Sequence, residues 1–104
     1  ERIAARAVEW NHLGQMMLVA GATYPQELGR IRQIVGDMPL LVPGIGAQGG
    51  DLKAVMAQGL NQKGNGLVIS SSRGIIYADE GTDFARAAGR EAERAREEIN
   101  ALRP

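Results

Sequence analysis

Two rhythms of apolar residues alternate along the chain. Ile3, Ala7 and Trp10 recur at spacings of four and three, which predicts a helix over 1–13 that Gly14 can end. Positions 16–20 (Met-Met-Leu-Val-Ala) form a short unbroken apolar run, the signature of a strand buried on both faces. Met16 and Met17 read as core filler, and Trp10 as a packing anchor between helix and sheet. Thr23, with Gln26 three residues on, predicts a capping box, and Pro25 suits a first helical turn. Leu28, Ile31 and Ile34 or Val35 are the stripe of that helix, and Gly36 stops it.

The alternation repeats. Residues 39–42 predict a second apolar strand, followed by a glycine-rich stretch at 43–50. Asp51 can cap a helix whose stripe is Leu52, Val55, Met56 and Leu60. Positions 61–65 read as a loop, and Leu67, Val68 and Ile69 as a third strand. Residues 70–73 leave that strand, 74–78 make a short apolar connector, and a last helix runs from about 82 to 102. Its expected stripe is Phe84, Ala88, Ala92, Ala95, Ile99 and Leu102, with the charged positions facing solvent. The order is α-β-α-β-α-β-α, with strand centres about 23 and 27 residues apart, the pitch of βα units in a parallel sheet. Three parallel strands leave two open edges that nothing in the sequence covers. The expectation is a single partial domain over 1–104, the C-terminal part of something larger.

Composition narrows the chemistry. Twelve Lys+Arg balance twelve Asp+Glu, so a basic footprint for nucleic acid or an anionic membrane surface is excluded as the main role. No cysteine is present, which removes disulfides, thiolate metal sites and a cysteine nucleophile. The one histidine, His12, excludes a two-histidine metal site and reads as a surface residue near a helix end. No apolar run approaches the roughly 18 residues of a membrane span. A reducing, cytoplasmic setting is expected.

Fourteen glycines among 104 residues are about twice the usual share of roughly 7%, and their cluster at 44–50 lies where a strand is predicted to end, which is where ligands of parallel α/β folds bind. Gly44, Gly46 and Gly49 spell G-x-G-x-x-G between a strand and a helix. A dinucleotide site would also want an acid about 20 residues on, at the end of the next strand. Here that strand ends in Ser70, Ser71 and Ser72, and the next acid is Asp79. A phosphate site is the better physical account. Glycines let backbone N–H groups approach an anion, and Arg73 offers a permanent, bidentate positive charge. Barrel enzymes frequently hold phosphate with the loops after their last two strands and a short extra helix. The alternative is that Arg73 pairs with a structural carboxylate and the glycines only permit tight turns.

G-A-T-Y-P at 21–25, L-V-P-G-I-G-A-Q-G-G-D at 41–51 and S-S-R-G-I-I-Y-A at 71–78 resemble the C-terminal motifs of orotidine 5'-phosphate decarboxylase in its longer bacterial type. The resemblance covers about residues 8–79. It implies a (β/α)8 TIM barrel of which this chain is the C-terminal half, carrying strands six to eight. It implies decarboxylation of orotidine 5'-monophosphate to UMP, in pyrimidine biosynthesis, with no metal or organic cofactor and as a homodimer. By the same resemblance Arg73 grips the substrate phosphate and Ser72 adds a backbone N–H. Gln48 bridges phosphate and pyrimidine, and Pro43 and Ile45 lie against the pyrimidine. Gly46, Ala47, Gly49 and Gly50 complete the phosphate loop.

One departure matters. The family's Asp-x-Lys-x-x-Asp motif and its further lysine do not occur here, where Lys53 and Lys63 are the only lysines. The expectation is a substrate grip without its catalytic acid, and no decarboxylation by these 104 residues alone. Two other readings stay open: a fragment of another phosphate- or dinucleotide-binding α/β enzyme, and a non-catalytic half-barrel that assembles through its sheet edges.

Overall fold

The computed structural model describes residues 1–45 and 51–104. The elements are α1 (Arg2–Trp10), β1 (Leu18–Val19), α2 (Pro25–Val35), β2 (Leu40–Pro43), α3 (Leu52–Gly59), β3 (Leu67–Ser70), α4 (Ser72–Ile76) and α5 (Phe84–Ala101). The short connector after the third strand is thus a helix in its own right, α4. The three strands form one parallel sheet in the order β1-β2-β3. Leu18 pairs with Leu40 and Leu40 with Leu67, while Pro43 pairs with Ser70. Parallel strands alternating with helices in this order are the architecture of a partial (β/α)8 barrel.

Alternation along the strands gives the sheet two unlike faces. Leu18, Ala20, Leu40, Val42, Leu67 and Ile69 point into the core with Leu28, Val35, Met38 and Val55. Leu40, Val42 and Val55 have no exposed surface. On the opposite face Val19 and Val68 are 69% and 49% exposed, in register through Leu41. The strands were expected to be buried on both sides. Among the described residues helices cover only one side, and the second face is open.

Several helical details depart from the sequence pattern. α1 buries Ala4 and Ala7, while Ile3 and Trp10 are exposed, so Trp10 is not an anchor between helix and sheet. Two small residues on the buried side let α1 approach α2 closely, with which it packs. Met16 packs partly against the core, but Met17 is exposed beside the open face. The capping box at Thr23 does not form: α2 starts one residue later, with Tyr24 at the cap position and Pro25 first in the helix. Asp51 does cap α3, accepting a hydrogen bond from the Ala54 N–H at 3.3 Å. In the loop that follows, Asn61 Oδ1 accepts from the Lys63 and Asn65 N–H groups. α5 buries Ala87 alone, and Phe84 and Ala92 of its expected stripe are exposed. Its exposed side carries the i,i+3 pairs Glu91–Arg94 and Glu93–Arg96.

The N-terminal ends of the strands are tied by one side chain. Arg32, 8% exposed, lies on the buried face of α2 between Leu28 and Val35. Its guanidinium donates to the carbonyls of Gly59 (2.6 Å), Gly36 (2.7 Å), Met38 (2.7 Å) and Gly66 (2.8 Å). These carbonyls belong to the end of α3, the α2–β2 turn and the residue before β3. Gly66 has φ +90° and passes so close that a Cβ there would sit 3.0 Å from Arg32 Nη2. Both the backbone conformation and the space call for glycine.

Candidate functional site

The opposite, C-terminal ends of the strands are where the expected chemistry lies. Because Pro43 and Ser70 are in register, the chain leaves β2 and β3 side by side. A cavity of about 110 Å³ opens there, lined by Pro43, Gly44, Ile45, Ser70, Ser71, Ser72 and Arg73. It brings together Pro43, Ile45, Ser72 and Arg73, four residues picked out from the sequence. Gln48, and the phosphate-loop residues Gly46, Ala47, Gly49 and Gly50, lie outside the described residues.

Ser72 and Arg73 are the first two residues of α4, where backbone N–H groups have no partner within the helix. Arg73 is exposed, and among the described residues no carboxylate lies within ion-pair distance of it. The cavity lining has hydroxyls, backbone amides and one guanidinium, and no acid. That inventory suits an anion, which the forked guanidinium can grip with two parallel hydrogen bonds. The apolar edges of Pro43 and Ile45 suit a flat ring beside it.

The size of the cavity matters as much as its lining. Sites for small organic ligands typically enclose about 300–1,000 Å³. A hollow of about 110 Å³ is too small to enclose such a ligand by itself. Larger hollows, of about 460 and 490 Å³, lie elsewhere. The first lies along α2 and α3 and includes Thr23 and Tyr24. The second lies beside Arg32 and Asp37, at the other end of the sheet. Neither adjoins the cluster around Arg73, whereas a hollow of about 340 Å³ between α4 and α5 does, sharing Ile45 and Ser71 with it and carrying Asp51, Glu91 and Glu98.

Neither lysine reaches the cavity lining. Lys53 is exposed on α3, and Lys63 forms an ion pair with Asp37 at 3.1 Å in the loop before β3. Among the described residues no group of three acids and histidines is placed to hold a metal ion, and no helix is long and apolar enough to cross a membrane. Gly44, Ser70 and Ser71 line the cavity without having been picked out as site residues, and the Ser71 hydroxyl donates to the Ile45 carbonyl oxygen at 3.3 Å. The triple serine was visible, but which of its hydroxyls turns toward the preceding loop depends on the strand pairing.

No family model matches the chain. Single proteins do. The chain is 53% identical over 102 residues to orotidine 5'-phosphate decarboxylase of Ralstonia pickettii, covering 97% of this chain and 38% of that protein. It is 57% identical over 94 residues to the protein of the same name from Cupriavidus taiwanensis, covering 90% of this chain and 35% of that one. Among solved structures, Leishmania donovani UMP synthase superimposes with TM-score 0.82 at 43% identity, over 97% of this chain and 21% of that chain. Leishmania donovani OMP decarboxylase superimposes with TM-score 0.79 at 40% identity, over 97% of this chain and 37% of that chain. The chain thus spans little more than a third of the curated relatives it matches. Over nearly all of its own length the chain is similar to orotidine 5'-phosphate decarboxylases, and the match is to a partial, C-terminal-type stretch of them.

Proposed function

We propose that this chain supplies the phosphate- and pyrimidine-gripping wall of an orotidine 5'-phosphate decarboxylase, as a single partial domain over 1–104. The observation that carries the reading is the meeting, at one cavity, of Arg73 and Ser72 from the end of β3 with Pro43 and Ile45 from the end of β2. Arg73 and the Ser72 N–H hold the phosphate of orotidine 5'-monophosphate, and Pro43 and Ile45 lie against the ring. The names and folds of the relatives support the same substrate and its product, UMP.

In such an enzyme, binding energy from the remote phosphate organises the site around the reacting carbon. The chemistry then needs preorganised charge near the pyrimidine. The family's lysine and aspartate motif supplies that charge and is not in this sequence, so the 104 residues do not decarboxylate by themselves. The whole enzyme works in the cytoplasm as a homodimer and uses no metal or organic cofactor.

The test is competition binding of UMP against NAD to the complete polypeptide that carries this chain. Preference for UMP, lost in Arg73→Ala, is expected. Preference for NAD supports instead the dinucleotide-site reading of the G-x-G-x-x-G stretch. The open sheet face favours a second reading, a half-barrel that self-assembles. Sedimentation of the 104-residue chain as a folded monomer removes that one.

A further inference from the structure

We propose that Ser71 is a positioning residue, one that sets the Arg73-bearing end of β3 against the chain leaving β2. The inference rests on the anion-gripping reading above.

A serine at a helix cap position ordinarily turns its oxygen to accept an N–H from the first turn. Ser71 occupies that position for α4 and makes no such bond. Its hydroxyl points the other way and donates to the carbonyl of Ile45, 26 residues earlier in the chain, at 3.3 Å. A second feature holds it there. A Cβ on Gly74 would lie 2.8 Å from Ser71 Oγ, closer than real contacts come. Glycine at 74 thus leaves room for the hydroxyl beneath the first turn of α4.

The bond joins the two segments that line the cavity, one carrying Pro43 and Ile45 and the other Ser72 and Arg73. Ser71 does not need to touch a ligand to act. It fixes where the guanidinium stands relative to the apolar wall, and so the distance between phosphate and ring that the site accepts. Small displacements of positioning groups carry large functional costs.

The experiment measures dissociation constants for UMP and for uridine, which lacks the phosphate, on the complete polypeptide, together with the melting temperature. Ser71→Ala is expected to weaken UMP about fivefold, the worth of one ordered hydrogen bond. Uridine affinity stays unchanged, and the melting temperature falls by no more than the few degrees that one hydrogen bond is worth. Gly74→Ala weakens UMP to a similar extent when Ser71 is present. It does nothing in the Ser71→Ala background, where the atom it collides with is gone. In an Arg73→Ala background, Ser71→Ala has no further effect, because the group it positions is absent. Equal weakening of UMP and uridine, or a Ser71→Ala effect that persists without Arg73, overturns the proposal. If Arg73→Ala weakens UMP and Ser71→Ala does not, positioning by Ser71 fails alone. If Arg73→Ala leaves UMP affinity unchanged, the anion-gripping reading beneath it fails.

Discussion

Two arginines stand at opposite ends of the same three-stranded sheet and have opposite surroundings. Arg32, at the N-terminal ends of the strands, is buried and donates to four backbone carbonyls. Burial lowers its pKa from the ordinary arginine value, opposed by the nearby charge of Asp37. Arg73, at the C-terminal ends, is exposed and has no carboxylate partner among the described residues. A buried guanidinium with four of its five donors held by backbone oxygens has little left to offer a ligand. One left open beside backbone amides has five donors to spend. In barrel folds the N-terminal face of the strands serves stability and the C-terminal face serves chemistry. If Arg73 grips an anion as proposed, this chain assigns the same residue type to both tasks and separates them by what surrounds it.

The sharpest way to break that contrast is to exchange the two losses. Arg32→Met keeps the aliphatic stem and removes every donor, leaving buried carbonyls without their partner. Stability is expected to fall by roughly 3 kcal/mol, read as a lower denaturant midpoint of the complete polypeptide, with UMP affinity of the folded fraction unchanged. Arg73→Ala should do the reverse. UMP affinity falls on the order of tenfold to a hundredfold, the worth of charge-assisted hydrogen bonds to one phosphate, and the midpoint does not move. An Arg73→Ala protein that unfolds early while still binding UMP would erase the distinction between the two ends.

The two arginines were not equally legible. Arg73 stood out because it followed a serine-rich strand end, in a motif that resembles a known family. Arg32 was present in plain view, at the fourth position after Leu28 and the third before Val35, on the apolar side of α2. Reading it as buried required knowing that two segments distant in sequence, at Gly59 and Gly66, converge on it beside its own following turn, which is a property of the sheet. Strands and helices were legible wherever the apolar period was long. The burial of whole faces was not. Val19 and Val68 read as core because strands in parallel sheets usually have helices on both sides. Trp10 and Phe84 read as core because they are large and apolar, yet small alanines took the helix contacts instead. The cavity at Pro43, Ile45, Ser72 and Arg73 combines a motif visible in the sequence with a register, Pro43 beside Ser70, that only the fold supplies.

A smaller effect tests whether the end that carries the site also contributes to stability. Asp51 caps α3, the helix that follows the glycine-rich stretch. Asp51→Ala is expected to cost about 1 kcal/mol, the usual worth of a cap, measured by thermal melting. UMP affinity should change far less than in Arg73→Ala. If Asp51→Ala costs as much as Arg32→Met, the C-terminal end of the sheet is a structural centre as well, and the division of labour between the two ends is weaker than the geometry implies.

The smallest expected effect separates the two faces of the sheet rather than its two ends. Val42 has no exposed surface, and Val68 on the neighbouring strand is 49% exposed on the open face. Replacing either with threonine keeps the shape and adds a hydroxyl. At Val42 the hydroxyl enters the core and costs about 2 kcal/mol if it finds no partner. At Val68 it meets water, and the cost in the 104-residue chain stays within about 0.5 kcal/mol. The same pair of substitutions in the complete polypeptide then reports on what covers the open face. If further strands close a barrel over it, Val68 becomes an interior residue and Val68→Thr approaches the cost of Val42→Thr. If the cost at Val68 stays near zero there too, the face remains wet in the whole protein. The cavity around Arg73 would then lack the facing wall that its volume of about 110 Å³ calls for.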